Sequence, residues 1–363
     1  MSADATATDA NLNEPVPDEK FVRHSAGNVE TRLEGMRIRG FLVPNDRFYV
    51  RSHAPTPQID AASWSMRVFG TGVERELQVT YDDLLDLPVV SVVRALACAG
   101  NGRAYFDEDQ HKPTGGDQWR NGAVGVAEWT GVPLSAVLEL ASVLPEARDV
   151  MPEGLDEARA RRPLPLDKAM ADDTILAYAM NGEVLPPDHG YPVRLIVSDW
   201  IGAASIKWVG SLEVAAEELF SPWNTTDYVL SGPTYPSAGP ADGEPLTTLP
   251  VSSALELPWP ARLPLGRHLL RGRAWSGAGR ITAVDVSTDG GRFWTPATLR
   301  DPNMPGAWVR FDFPFDADDL GESEVRIRAR DESGAVQPQD VPFNDGGYLY
   351  NAVVAHPIEV VAD

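Results

Sequence analysis

The sequence predicts an α+β domain followed by an immunoglobulin-like β-sandwich. From about residue 41 to 228, strand-length apolar runs are mixed with short helical segments, which is typical of an α+β domain. After about residue 245, apolar and polar residues alternate over strand lengths, and turn signals such as Asp289-Gly-Gly291 separate the runs, as in an all-β sandwich. A segment rich in Gly, Pro, Ser and Thr, from about residue 231 to 250, indicates a linker between them. The predicted units are a disordered tail (1–30), the α+β domain (31–235), the linker (236–244) and the β-sandwich (245–363).

The local patterns place individual elements within these units. Strands are predicted at residues 63–69, 89–97 and 191–197 in the first domain, and at residues 271–275, 281–287, 308–313 and 324–329 in the second. One helix is predicted near residues 132–140, because Pro133 would occupy its first turn and the apolar residues recur at helical spacing. The first 20 residues are small and acidic and lack the charged and apolar regions of a signal peptide, so we expect a disordered tail and a cytoplasmic protein. A processed periplasmic form that has lost its leader is the alternative.

The charge balance limits the partners. The chain of 363 residues has a formal net charge of −22 at pH 7, and no basic stretch offsets it, so nucleic acid and anionic membranes are excluded as partners. No apolar run approaches the roughly 18 residues that a membrane span needs. The acidic excess has two explanations: solubility, including in a salt-adapted host, or a basic protein partner drawn to an acidic face.

The single cysteine limits the redox chemistry. One thiol excludes an intrachain disulfide, a four-cysteine zinc site, an iron–sulfur cluster held by this chain alone, and covalently attached haem. Cys98 ends an apolar strand and is followed by Ala-Gly-Asn-Gly, whose backbone freedom would let a bulky ligand approach. Arg103 comes next, and a nearby cation favours the thiolate form that binds metals. A lone cysteine is more often a buried apolar residue, but this context favours a soft-metal ligand beside an anion-binding arginine.

The segment from Cys98 to Arg103, Cys-Ala-Gly-Asn-Gly-Arg, resembles the molybdenum-ligand loop of the sulfite oxidase family. Other segments resemble that family in the same order along the chain, including its pterin-contacting strand, its Gly-Ala-Ile-Gly segment and its dimerisation domain. In this sequence they are residues 45–53, 119–129, 177–194, 202–208, 274–280 and 284–294. The resemblance covers about residues 28–363, and it implies a sulfite-oxidase-type molybdopterin domain followed by an immunoglobulin-like dimerisation domain.

The resemblance also implies a molybdenum–molybdopterin cofactor, with Cys98 as the protein thiolate on the metal. The other residues implied to contact the cofactor are Phe48, Tyr49, Val50, His53, Asp156, His189, Arg194, Ser205 and Lys207, and those implied to line the oxyanion pocket are Arg51, Arg103, Trp119 and Tyr228. These residue types suit the roles, since a buried phosphate needs charge-assisted donors and a pterin edge needs planar hydrogen-bond partners. Taken singly, each residue is more often structural, and it is their joint occurrence in family order that favours the site.

Two positions depart from the family pattern. Gly102 stands where the family usually has an arginine, and Gly346 stands where its sulfite-oxidising members bring an arginine from the second domain. The anion pocket is therefore expected to be less positive than in animal or plant relatives. Tyr348 and Tyr350 are the candidates to fill the space beside Gly346.

The implied reaction is the oxidation of sulfite, a small oxyanion, to sulfate by a homodimer. One alternative is the reduction of an oxyanion or S-oxide, as in the nitrate reductase relatives, which the glycine at position 346 leaves open. Another alternative, from a different class, is a cofactor-free interaction protein that uses its β-sandwich. The sequence has no His-Pro-Gly-Gly or Cys-x-x-Cys-His element, so we expect no haem and an external electron acceptor, for which a basic cytochrome is a candidate.

Overall fold

The computed structural model describes residues 19–362 except residues 26, 37–39 and 238. Most of the predicted tail, residues 1–18, lies outside the described residues. The rest of that prediction is wrong, because the strands Phe21–Arg23 (β1) and Val29–Thr31 (β2) pair there as an antiparallel hairpin. Phe21, Val29 and Val50 form a small buried cluster that anchors the hairpin. Regular structure therefore begins before residue 31.

Two five-stranded sheets form the body of the first domain. Its strands are Ser65–Phe69 (β3), Leu77–Thr80 (β4), Val90–Ala97 (β5), Val124–Pro133 (β6), Asp149–Gly154 (β7), Leu164–Pro165 (β8), Thr174–Met180 (β9), Glu183–Val184 (β10), Arg194–Val197 (β11) and Val209–Ala215 (β12), followed by the short pair Val229–Leu230 (β13) and Glu244–Pro245 (β14). One sheet has the order β10-β9-β6-β5, with β11 also paired to β9, and the other has the order β4-β3-β12-β7-β8. The strands predicted in this domain are β3, β5 and β11, the last of them shorter than predicted.

The helices are short. Within the described ranges the α-helices are Tyr81–Leu85 (α1), Ala104–Glu108 (α2), Leu134–Leu140 (α3), Leu166–Ala169 (α4) and Pro222–Thr225 (α5). Four 3-10 helices accompany them: Leu33–Met36, Asn45–Arg47, Pro187–His189 and Gly202–Ala204. The predicted helix is α3, but Pro133 precedes it as the N-cap residue instead of lying in its first turn. The reason is that Pro133, paired with Ile175, is still the last residue of β6. No helix in the described part of the chain is long and apolar enough to cross a membrane.

The second domain is the predicted β-sandwich. Its strands are Ser252–Leu255 (β15), Ala261–Pro264 (β16), Gly266–Trp275 (β17), Ile281–Ser287 (β18), Thr295–Pro296 (β19), Thr298–Arg300 (β20), Trp308–Ala317 (β21), Gly321–Asp331 (β22) and Ala355–Val361 (β23). They form a four-stranded sheet, β15-β17-β21-β20, and a five-stranded sheet, β16-β23-β22-β18-β19. Residues of both sheets, among them Leu270, Phe311 and Ile327, meet in one buried apolar core. The predicted fold class is confirmed.

A buried ion pair lies at the junction of the two domains. Arg273 on β17 pairs with Glu256 at 2.7 Å, and both side chains are almost fully buried. The guanidinium of Arg273 lies over the ring of Trp308, 4.0 Å from its centroid. The indole N–H of Trp308 in turn donates to the backbone carbonyl of Phe41 in the first domain at 2.8 Å. The sandwich is therefore joined to the first domain by packed aromatic and charged groups.

The segment before β23 reaches from the sandwich into the first domain. The backbone N–H of Leu349 donates to the carbonyl of Ala99 at 2.8 Å. A Cβ atom added to Gly102 would lie 2.7 Å from the carbonyl oxygen of Tyr350, and Gly102 has a φ of +87°, so this close approach requires glycine. The second domain therefore covers the loop that follows β5.

Candidate active site

Cys98 lies where β5 ends in a tight turn. Its backbone N–H donates to the carbonyl of Ala123 at 2.9 Å, and its own carbonyl accepts from the N–H of Asn101 at 3.0 Å. The N–H of Gly100 donates to the Cys98 sulfur at 3.4 Å. The last three residues of β5 are buried, whereas Cys98 keeps accessible surface because it faces a cavity. The turn thus presents the thiol to an open space.

The cavity beside Cys98 encloses about 740 Å³, part of it open to solvent. Its walls come from segments that are far apart in the chain. The lining residues are Phe48, Tyr49, Val50, Arg51, Ser52, His53, Leu96, Cys98, Ala99, Asp156, Ala160, Asp188, His189, Arg194, Gly202, Ala203, Ser205, Ile206, Lys207, Trp208, Trp223 and Tyr228.

Three cationic side chains line this cavity: Arg51, Arg194 and Lys207. Arg194 is buried, and its Nη1 and Nη2 donate to the backbone carbonyls of His189 at 2.9 Å and Ser205 at 3.2 Å. Its Nε is buried without a hydrogen-bond partner among the described residues. These acceptors are neutral, so they leave the positive charge of Arg194 uncompensated. A bound anion would supply the missing partner.

Lys207 is the second buried cation of the cavity. Its Nζ donates to the hydroxyl of Ser52 at 2.6 Å and to the backbone carbonyl of Asp188 at 2.8 Å. Burial, and then the neighbouring charge of Arg194, lowers the pKa of Lys207 from 10.5 to about 7. The carboxylates of Asp188 and Asp156, which also line the cavity, act in the opposite direction but do not offset burial and Arg194, so the positive charge of the cavity is only partly compensated.

Two neutral imidazoles and a tyrosine complete the polar lining. Burial, together with nearby cations, lowers the pKa of His53 and of His189 to about 3, so neither ring is charged near pH 7. The Nε2 of His53 lies 2.8 Å from the hydroxyl of Tyr228, and its ring packs on Trp223 with 4.5 Å between centroids. Burial raises the pKa of Tyr228, which keeps its hydroxyl protonated and able to donate. Cations with neutral planar partners suit an organic anion.

The cavity brings together every residue predicted to contact the cofactor, and also Arg51 and Tyr228 of the predicted anion pocket. Arg103 and Trp119 do not line it. Trp119 is fully buried, its ring centroid is 4.5 Å from that of His24 in the N-terminal hairpin, and its Nε1 has no hydrogen-bond partner within the described residues. Direct contact of Arg103 and Trp119 with an oxyanion stays a prediction.

Arg103 is held behind the cavity by the second domain. Its Nε donates to the carbonyl of Gly346 at 3.2 Å, and its Nη1 donates to the carbonyl of Asp117 at 3.0 Å. The space beside Gly346 is filled by Tyr348, whose ring centroid lies 5.4 Å from the Cζ of Arg103. Tyr350 is not the residue that fills it, because its hydroxyl donates to the carboxylate of Asp109, the C-cap residue of helix α2, at 2.7 Å, and its ring packs in a separate apolar cluster.

Sequence reasoning missed several residues of the site. Ser52 and Asp188 line the cavity next to predicted residues, and Trp223 lines it from α5. Behind them, Arg162 is almost fully buried and donates to the backbone carbonyls of Trp223 at 2.6 Å and Leu246. Asp188 precedes a predicted cofactor residue but also suits a rigid turn. Arg162 lies in the run Ala-Arg-Ala-Arg-Arg, which is typical of a solvated surface, so no local signal marks it.

The protein has little to hold a metal ion by itself. In the described ranges, no group of three or more His, Cys, Asp or Glu side chains could bind one. A metal at Cys98 would therefore bring most of its ligands with it, as part of a larger anionic group that the cationic cavity can hold.

Two family models match the chain: the oxidoreductase molybdopterin binding domain over residues 53–223 and the Mo-co oxidoreductase dimerisation domain over residues 245–360. Sulfite oxidase of Gallus gallus is 37% identical over 86% of this chain and 72% of its own length, and mitochondrial sulfite oxidase of Mus musculus is 32% identical over 99% and 69%. Nitrate reductase [NADH] of Solanum lycopersicum is 30% identical over 89% of this chain but only 39% of its own length. The solved structure of the sulfane dehydrogenase SoxCD from Paracoccus pantotrophus superposes with a TM-score of 0.79 at 31% identity, covering 90% of this chain and 83% of that one.

Proposed function

This chain belongs to the sulfite oxidase family of molybdopterin oxidoreductases, and we propose that it oxidises sulfite to sulfate. The observation that carries the proposal is the lone thiol of Cys98, presented to a cavity that three cations line. Sulfite is a small oxyanion whose sulfur retains a lone pair, and its oxidation adds one oxygen atom and releases two electrons. The cavity places a soft metal ligand beside fixed positive charge, which are the two features this chemistry needs.

The residues present fit a molybdenum ion carried by a pterin dithiolene. Cys98 offers one sulfur ligand, and because no cluster of other metal ligands occurs in the described part of the chain, the remaining ligands would come with the cofactor and not from this protein. Arg194, with its unpartnered buried Nε, and Lys207 would hold the phosphate of the pterin. When bound, the cofactor supplies oxygen-atom transfer and accepts the two electrons.

Hydrogen-bonding side chains of the cavity would hold the pterin ring. The neutral imidazoles of His53 and His189 each offer one donor and one acceptor nitrogen. Asp156 is buried in the same wall, where its Oδ1 accepts from the N–H of Ala160 at 3.1 Å and its second oxygen can accept from an N–H of the pterin. These groups fix the orientation of a planar, hydrogen-bonding ring.

Arg51 and Tyr228 would capture the oxyanion beside the metal. Arg51 lines the cavity, and its Nη1 donates to the neutral carbonyl of Ser52. The hydroxyl of Tyr228 is shared with His53 and can turn toward a substrate oxygen. Arg103, behind them, adds to the positive potential without a charged partner among its hydrogen-bond acceptors. Together they favour an anion whose sulfur faces the metal.

The test measures molybdenum and pterin in the purified protein, and sulfate formed with ferricyanide as acceptor. We expect stoichiometric molybdenum and two ferricyanide ions reduced per sulfate. Protein purified without metal or pterin from a competent host would favour a cofactor-free interaction protein. A loaded protein that reduces nitrate or an S-oxide with a reduced viologen, and does not oxidise sulfite, would favour the reductase alternative that the nitrate reductase likeness suggests.

We further propose a homodimer formed through the second domain, which matches the dimerisation model. The electrons would leave singly to an external acceptor, and the net charge of −22 favours a basic one, such as a small cytochrome. We also propose that the protein binds no haem and that it resides in the cytoplasm.

A further inference from the structure

An arc of aromatic side chains borders the candidate site. The ring of Trp223 packs on His53 at 4.5 Å and on Tyr228 at 5.3 Å between centroids. Tyr348 continues the arc by stacking on Tyr228, with centroids 5.5 Å and planes 26° apart. Arg103 closes it, with Cζ 5.4 Å from the centroid of Tyr348. Trp223 and Tyr348 are only partly buried, so the arc retains surface that a bound molecule can contact.

The backbone beside Tyr348 leaves no room for another side chain. A Cβ atom added to Gly346 would lie 2.2 Å from Cε2 of Tyr348. Gly346 instead directs its carbonyl oxygen to the Nε of Arg103 at 3.2 Å. At this wall the second domain therefore contributes an aromatic ring and a neutral carbonyl, and no charge.

The cations near this wall are Arg51, which lines the cavity, and Arg103, which lies behind it against Tyr348, while the carboxylate of Asp227 also acts on Tyr348. Arg51 donates to the carbonyl of Ser52, and Arg103 donates to the carbonyls of Gly346 and Asp117, so these acceptors leave both charges uncompensated. The two cations and the uncharged aromatic rings of the arc match a monoanion that carries an organic group. Aromatic rings bind such groups by stacking and by burying apolar surface.

We propose that this site also oxidises organic sulfinates to sulfonates, with Tyr348 contacting the organic substituent. The inference rests on the proposed function, because a sulfinate, like sulfite, is an oxyanion with a lone pair on sulfur, and it carries a single negative charge. The sulfinate and one water give the sulfonate, two protons and two electrons. A new sulfur–oxygen bond forms, the two O–H bonds of water break, and the carbon–sulfur bond is kept. The electrons pass to the same external one-electron acceptor that sulfite oxidation uses.

The experiment compares sulfite, methanesulfinate and benzenesulfinate as substrates of the intact, cofactor-loaded protein with ferricyanide as acceptor. We expect both sulfinates to be oxidised, with the sulfonate identified by mass spectrometry. The kcat/KM for benzenesulfinate should exceed that for methanesulfinate by about two- to twelvefold, the range expected of one aromatic contact. In Tyr348→Ala this ratio should fall close to one, and in Tyr348→Phe, which keeps the ring, it should persist.

Binding gives a readout that is independent of turnover. Calorimetric titration of the oxidised protein should show benzenesulfonate, a product, binding more tightly than methanesulfonate by a similar factor. That difference should disappear in Tyr348→Ala and remain in Tyr348→Phe. Tyr235→Ala is the matched control, because Tyr235 lies outside the arc, with its hydroxyl 3.5 Å from the carbonyl of Pro342. We expect it to change neither ratio.

If the alanine variant does not fold, Tyr348→Leu removes the aromatic ring at similar volume and carries the same expectation. Oxidation of sulfite with no oxidation of either sulfinate would overturn the inference and leave the proposed function intact. An unchanged aromatic preference in the variant without the ring would also overturn it. Failure to oxidise sulfite would instead refute the proposed function itself.

Discussion

Replacing Lys207 with methionine should stabilise the cofactor-free protein at low pH and weaken retention of the cofactor. Burial and the charge of Arg194 lower the pKa of Lys207 from 10.5 to about 7 in the folded protein. The unfolded chain keeps this proton up to its ordinary pKa, so between pH 7 and 10.5 the unfolded state binds more protons. The free energy of unfolding of the cofactor-free wild-type protein therefore rises with pH across that window. Below about pH 7 it is lowered by the full cost of burying the charged lysine.

The size of the effect follows from the shift and from the bonds that are lost. A fall from 10.5 to about 7 corresponds to at most about 5 kcal/mol at 1.36 kcal/mol per pKa unit. Methionine removes the two hydrogen bonds to Ser52 and Asp188, each worth about 1–2 kcal/mol. We expect a net gain of about 1–3 kcal/mol at about pH 6, which should disappear between about pH 8 and 9 and become a loss by about pH 10, where only the missing hydrogen bonds count. In the loaded protein the lost ion pair with a phosphate, about 4 kcal/mol at an effective dielectric of about 20, should lower cofactor affinity by on the order of a hundredfold or more.

The assay is urea unfolding at several pH values of protein made in a host that cannot synthesise the pterin. Molybdenum content of protein from a competent host gives the second readout. Lys168→Met is the matched control, because Lys168 lies outside the cavity lining, 4.0 Å from the carboxylate of Asp173. It should change stability by less than about 1 kcal/mol and leave the molybdenum content unchanged. The reasoning is refuted if Lys207→Met is no more stable than the wild type at pH 6, or if the difference does not depend on pH.

The remaining predictions concern the anion pocket, the domain junction and the surface charge. Arg103→Gln should lower kcat/KM for sulfite by on the order of tenfold to a hundredfold, because it removes a charge-assisted donor worth about 1.5–3 kcal/mol. A steady-state change below about twofold would show that Arg103 acts only in packing. Arg273→Met should lower the free energy of unfolding by about 3 kcal/mol, because Glu256 would keep only the more distant Arg310, 3.8 Å away. Combining it with Glu256→Leu should restore most of the loss, and additive effects in urea unfolding would contradict this. Sulfite oxidation with a basic cytochrome should slow as salt rises from about 10 to 300 mM, while the rate with ferricyanide stays level or rises. Equal salt responses in stopped-flow reoxidation would rule out steering by the acidic surface.

The Cys98 turn could be predicted because its signals are local. An apolar strand, a thiol and two glycines follow one another there. The strand positions the thiol, the thiol can bind a metal, and the glycines let a bulky ligand approach. The β-sandwich could be predicted for the same reason, since alternation and turn signals are read within a few residues. The gathering of His53, His189 and Arg194 around one cavity is different, because these residues are far apart in the chain. Their order along it, in a pattern that resembles one family, is what predicted the common site.

Contacts across the domain junction could not be predicted from local patterns. Arg103 and Gly346, which share a hydrogen bond, are 243 residues apart. The choice between Tyr348 and Tyr350 depends on the path of the backbone between them, where Leu349 has a φ of +53°. The N-terminal hairpin could not be predicted from the sequence for another reason. The acidic composition of the first 20 residues suggested disorder, and Phe21 and Val29 find their apolar partner only in the folded chain.

The central claim is that Cys98 binds molybdenum in a sulfite-oxidising site. X-ray absorption at the molybdenum edge, on loaded wild-type protein and on Cys98→Ser, counts the sulfur ligands of the metal directly. We predict one sulfur neighbour fewer in the serine variant, with an oxygen in its place, in a folded protein that no longer oxidises sulfite. The same number of sulfur ligands in both proteins, with near-normal turnover in the variant, would contradict the claim.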